Sequence, residues 1–176
     1  MKTNTFILSY QPPSNIRKMI IDIQVSLFRE YRAPSAIAFP PSIPLAYPSE
    51  PAEDYKIREK FEPRGCSFSI GGCRVIGRSL FLEIYIDPDF IIPSNMLSES
   101  DQRFPIPVFR GFHLISEEKN LPSLLRIAEK INLPEETSWS AGYIELLKIS
   151  WNSDDLFWWK EINIEELWQY RVKKRR

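Results

Sequence analysis

Six of the chain's fifteen prolines fall between Pro34 and Pro51, in the run PSAIAFPPSIPLAYPSEP. This run limits the fold more than any other feature. Proline donates no ladder hydrogen bond, so the stretch cannot be a central strand throughout. Ile37, Phe39, Ile43, Leu45 and Tyr47 nevertheless alternate with other residues through it. An extended segment, partly paired at a sheet edge, satisfies both constraints. A disordered linker would not need those apolar residues.

The flanking segments supply the sheets. Thr5–Tyr10 (TFILSY) reads as an opening strand, broken by Pro12-Pro13, with Ser14 placed to cap a following helix. Ile16, Met19, Ile20, Ile23, Leu27 and Tyr31 recur at three- and four-residue spacing, which predicts an amphipathic helix from Ile16 to Tyr31. Cys66–Ile70, Cys73–Ile76 and Leu80–Ile86 read as three strands, turned first by Gly71-Gly72 and then by Gly77-Arg78. Asp87-Pro88 closes the third, a loop is expected from Ile91 to Phe104, and Val108–Ser116 is strand-like again. Ser123–Ile131 predicts a second helix. Tyr143–Ser150 and Leu156–Glu161 predict a late strand pair, and the capping-box spacing of Asn163 and Glu166 predicts a short helix through Gln169. Hairpin-joined strands with two main helices between them indicate an α+β fold with antiparallel sheets.

At 176 residues and 43% hydrophobic content, the chain can form one domain of two intimately packed lobes. No stretch approaches the roughly 20 apolar residues of a membrane helix, and no secretory signal is visible, so a cytoplasmic protein without a membrane is expected. The formal net charge is zero, but five of the basic residues lie in Arg171–Arg176. Without them 18 basic residues face 23 acidic ones, a body of net −5 that does not suit a strongly basic nucleic-acid binder. The domain is therefore taken as residues 1–170, with 171–176 a basic tail that either complements a helix end or contacts a phosphate.

Candidate chemistry is sparse. No glycine-rich phosphate loop or nucleophile elbow is present, and no cofactor is implied. Cys66 and Cys73 read as a reduced pair on facing hairpin strands. Asp87 and Asp89 lack the further oxygen ligands a metal would need, so no metal is expected. Trp151, Trp158, Trp159 and Trp168 gather late in the chain as core packing or, as the alternative, base-stacking groups. His113 is the chain's one histidine, and alternation puts it on the side of Gly111 and Ile115. A mechanism needing two histidines cannot run in a single copy of the chain.

The opening TFILSY strand, the Ile16–Tyr31 helix, Phe39–Leu45, Phe112-His113-Leu114-Ile115-Ser116, Tyr143–Ser150 and Trp159–Ile162 follow one another in a family-like order. In this order, over roughly residues 5 to 162, the chain resembles the 2H phosphoesterase superfamily, which includes RNA 2′,5′-ligase-like proteins and cyclic phosphodiesterases. The resemblance implies a bilobal fold, with two antiparallel sheets facing a central cleft and helices on the outer faces. It also implies two His-x-Thr/Ser motifs that share acid and base duty. Here Ser42 stands at the first histidine position and Pro44 at its hydroxyl partner. His113 is kept at the second, but Ile115 occupies the hydroxyl position and Ser116 comes one residue late. An offset of one residue in a strand turns a side chain to the opposite face.

Three readings follow from the resemblance and its damaged motifs. The first is a 2H-like protein that has lost its phosphodiesterase activity and binds a nucleotide, RNA end or other phosphorylated ligand through Ser42, Arg110 and His113. The second is a protein-interaction or structural module built on the proline-rich segment and the tryptophans. The third is a weak residual phosphoric diester hydrolase, with His113 as its remaining catalytic group.

Overall fold

TFILSY becomes the middle of strand β1 (Lys2–Gln11), and β1 is central because it is paired on both sides. On one side it pairs with β7 (Gly142–Asn152) in unbroken antiparallel register from Lys2↔Asn152 to Gln11↔Tyr143. On the other it carries the four-residue edge strand β2 (Ile43–Ala46). Strand β8 (Asn163–Val172) completes the first sheet in the order β2-β1-β7-β8. The second sheet has the order β5-β4-β3-β6, from β3 (Phe68–Ile76), β4 (Ser79–Ile86), β5 (Gly111–Ser116) and β6 (Ser138–Trp139). These elements come from a computed structural model that describes residues 2–46, 48, 51, 68–86, 111–116, 121–133, 138–139, 142–152 and 162–172.

Every strand pairing among the described residues is antiparallel. With helices α1 (Ser14–Tyr31) and α2 (Leu121–Lys130), this is the expected α+β fold. Helix α1 buries Ile16, Ile20 and Leu27, the stripe its periodicity predicts. Leu124 and Ile127 of α2 are buried where that helix packs on β3 and β4. The sheets are joined by an aromatic stack. Tyr10 of β1 lies 4.3 Å from Phe68 of β3, and Phe68 lies 5.6 Å from Trp139 of β6. No described helix is long and apolar enough to cross a membrane.

Several local expectations are corrected. Gly71-Gly72 does not turn the chain, because β3 runs straight through it with a register shift between Ile70 and Gly72. Gly71 is instead a point of close approach, since a Cβ there would meet the Tyr85 ring 2.7 Å away. The reversal falls at Gly77-Arg78, where Gly77 has φ +58°. The facing-strand arrangement inferred for Cys66 and Cys73 goes with the lost turn. Cys73 is a half-buried thiol on β3, and Cys66 lies outside the described residues.

The helix expected from Asn163 to Gln169 is strand β8, paired with β7 from Asn163↔Ser150 to Val172↔Gly142. The open edge of β7 offers a ladder that outweighs a local capping pattern. Arg171 therefore belongs to this strand and is not at a helix end. Ser14 sits inside the first turn of α1, whose cap is Pro13 with no side-chain cap bond. The proline-rich stretch is only partly extended. It begins as a 3₁₀ turn at Pro34–Ile37 and reaches the sheet edge as β2. Pro44 is tolerated there because an edge strand has one unpaired side. The expectations at Asp87–Pro88, Asp89, Ile91–Phe104, Arg110, Leu156–Glu161, Trp158 and Trp159 lie outside the described residues.

Candidate functional site

Two edge strands, one from each sheet, bring Ser42 and His113 to one cavity of about 500 Å³. Thr5 and Ile7 of β1 and Leu147, Ile149 and Trp151 of β7 form its floor on one sheet. Phe81 and Ser79 of β4, with His113 and Ser116 of β5, face it from the other. Phe39, Pro40, Ser42 and Pro44 close one side. Neither helix lines it, so both lie outside the cleft.

From Ser42 into the start of β2, alternation holds at the site. Ile43 points into the core, fully buried, while Ser42 and Pro44 on either side of it line the cavity. On β5 alternation fails. Leu80 pairs with Ile115 but Phe81 pairs with His113, so β5 has one extra residue, Leu114, at a bulge. Ser79 and Phe81 share a face of β4, and their partners Ser116 and His113 must share it too. Ile115, expected beside His113, goes into the core with no exposed surface. Ser116, expected on the opposite face, is restored to the histidine's side. Its Oγ lies 2.9 Å from His113 Nε2.

The surroundings of His113 define its chemistry. The rings of Phe39 and Phe81 approach it edge-on, each with its centroid 5.7 Å away. Its Nδ1 is buried and without a hydrogen-bond partner among the described residues. A stranded N–H is rarer in folded proteins than a stranded acceptor, which assigns the proton to Nε2 and makes Ser116 Oγ its acceptor. Ser116 can then donate to Ser79 Oγ, 2.7 Å away. Burial lowers the His113 pKa from 6.5 to about 4. The ring is therefore neutral at pH 7, with the one proton it could donate already committed to Ser116.

Backbone clamps hold this arrangement. The Ser116 N–H donates to Ser35 Oγ (3.0 Å), and the Ser35 hydroxyl donates back to the Ser116 carbonyl (2.8 Å). The 3₁₀ turn thus satisfies the outer edge of β5. Gln24, 3% exposed on α1, donates through Nε2 to the carbonyls of His113 (2.9 Å) and Phe39 (3.1 Å). One amide ties the histidine strand to the segment that leads to Ser42. In the sequence Gln24 stands out only as a polar residue four positions after Ile20 that interrupts an otherwise apolar stripe. Glu145 is 2% exposed on β7, accepts a hydrogen bond from Ser9 Oγ at 2.8 Å, and burial raises its pKa. Its place in a run of strand residues gave no sign that it would be enclosed.

Ser42 and His113 share the cavity, whereas Arg110 lies outside the described residues. No described lining residue is charged, and no group of three described His, Cys, Asp or Glu residues could hold a metal ion.

No family model matches the chain, and no curated protein matches it. Among solved structures, E. coli LigT, determined in complex with ATP, is similar at a TM-score of 0.61 and 15% identity, over 97% of this chain and 99% of that one. The chain has the 2H phosphoesterase fold.

Proposed function

We propose that this protein keeps the 2H phosphoesterase fold as a ligand-binding domain and has lost the two-histidine reaction. The observation that carries the reading is the asymmetry of the cavity. Ser42 and Pro44 stand where the resemblance puts the first motif, and His113, on the same cavity, spends its Nε2 on Ser116. Acid–base catalysis of a phosphodiester needs one group to take a proton and another to give one. A serine without an activating neighbour does not take a proton near neutral pH. A histidine with a pKa of about 4 holds no extra proton there to give, and it is a feeble base. This weighs against the residual-enzyme reading. The cavity remains, and the ATP in the LigT structure supports a nucleotide as one candidate ligand.

Two measurements on the intact chain test the proposal. With a 2′,3′-cyclic nucleotide or a 2′,5′-linked dinucleotide, turnover should not exceed that of buffer. Addition of a ligand that enters the cleft should shift the His113 ring resonances, and His113→Ala should leave no such signal. Turnover that His113→Ala abolishes would restore the residual-enzyme reading and end this one.

A further inference from the structure

The cavity walls say what kind of ligand fits, on the premise that the cleft binds one. Ile7, Phe81, Leu147, Ile149 and Trp151 present apolar surface, and no described lining residue is charged. Among the described residues a phosphoryl group taken into such a wall would give up water and meet no cation, and an unpaired buried anion is among the costliest groups a protein can hold. The polar groups of the described wall are mostly hydroxyls, beside the His113 ring and the Trp151 indole N–H. They include Thr5, Ser42 and Ser79, all on the cavity wall. The Ser79 hydroxyl has a particular place, because it ends the chain His113 Nε2 to Ser116 Oγ to Ser79 Oγ. With His113 donating to Ser116 and Ser116 to Ser79, the Ser79 proton is left over and can be given to an acceptor in the cavity. A volume of about 500 Å³ lies within the ordinary range for small-molecule sites.

We infer that the cleft is a site for an uncharged small molecule, with an aromatic or aliphatic body against Phe81, Leu147, Ile149 and Trp151 and an oxygen that accepts a hydrogen bond from Ser79. The site recognises a ring bearing a hydroxyl or carbonyl, and it excludes the phosphorylated form of the same ring. The inference rests on the ligand-binding reading above but specifies the opposite charge class from the one the family resemblance implies.

A matched pair of probes tests it, 1-naphthol and 1-naphthyl phosphate, which share the ring and differ in the phosphoryl group. Binding to the intact protein at pH 7 is followed by calorimetry and by the His113 ring resonances. The expected result is at least tenfold tighter binding of 1-naphthol. Leu147→Trp, which fills the cavity, should weaken 1-naphthol at least tenfold, and Ser79→Ala should weaken it severalfold with the fold unchanged by circular dichroism. If Leu147→Trp fails to fold, the wild-type comparison and Ser79→Ala still decide. Equal or tighter binding of 1-naphthyl phosphate overturns the inference and leaves the ligand-binding reading standing. If neither probe, nor ATP, nor a cyclic nucleotide moves the His113 resonances, both fall.

Discussion

Acidification should expose the enclosure of His113 directly. An ordinary histidine titrates near 6.5 and this one at about 4, because burial disfavours the charged ring. Between those values the unfolded chain binds a proton that the native chain refuses. Stability from this group is therefore complete above about pH 6.5, falls as the pH drops, and is fully lost below about pH 4. At 1.36 kcal/mol per pH unit the whole effect is about 3 kcal/mol, and about 2 kcal/mol of it should be gone by pH 5. The assay is urea unfolding of the wild type and of His113→Gln at pH 7 and pH 5. Glutamine does not titrate and can still donate to Ser116. The carboxylates that make any protein acid-sensitive are common to both chains and cancel. The wild type should lose about 2 kcal/mol more than the variant over this interval, and its ring resonances should titrate near pH 4. Equal losses in the two proteins, or a midpoint near 6.5, would refute the enclosed, neutral ring on which the functional argument depends.

Other substitutions test the supports of the site and the joint between sheets. Gln24→Leu removes the donor to the carbonyls of His113 and Phe39, at about 1–3 kcal/mol for each acceptor, so a loss of up to roughly 2–6 kcal/mol is expected in denaturant unfolding. The His113 resonances should also broaden or move, which a change in stability alone would not cause. Glu145→Gln should raise the melting temperature at pH 7 and change it little at pH 4. Burial raises the native pKa of this carboxyl, so its ionisation costs stability as the pH rises past the unfolded value. A variant less stable at pH 7 than at pH 4, relative to wild type, would contradict that sign. Gly142→Ala places a Cβ against the Tyr10 ring and the Gln11 carbonyl, with Tyr10 held by its stack on Phe68. Overpacking of this kind costs about 1–3 kcal/mol, and an unchanged unfolding midpoint would show that the contact is loose.

Much of the fold was legible because periodicity is a local property. The Ile16–Tyr31 stripe predicts α1, TFILSY predicts β1, and the Gly77-Arg78 turn is read correctly between β3 and β4. The errors occur where a long-range partner decides. Asn163–Gln169 carries the spacing of a capped helix but meets the open edge of β7 and becomes a strand. Gly71-Gly72 carries the residues of a turn but meets the ring of Tyr85 and becomes a bulge.

The site divides in the same way. From the amino-acid order come the single histidine and, through the family resemblance, the serine and proline that stand in the other motif. None of these depends on how the chain is packed. Alternation through FHLIS put Ile115 beside His113 and Ser116 behind it, and the tertiary structure reverses both. Ile115 has a place in the core opposite Leu80, and accommodating it forces Leu114 into a bulge that brings Ser116 round to the histidine. A strand's side-chain period is readable only while its register is regular, and register is set by the neighbouring strand. Covalent order determined which groups this cleft can contain. Only the pairing of β4 with β5 decided that His113 is held neutral by burial and bonded to Ser116.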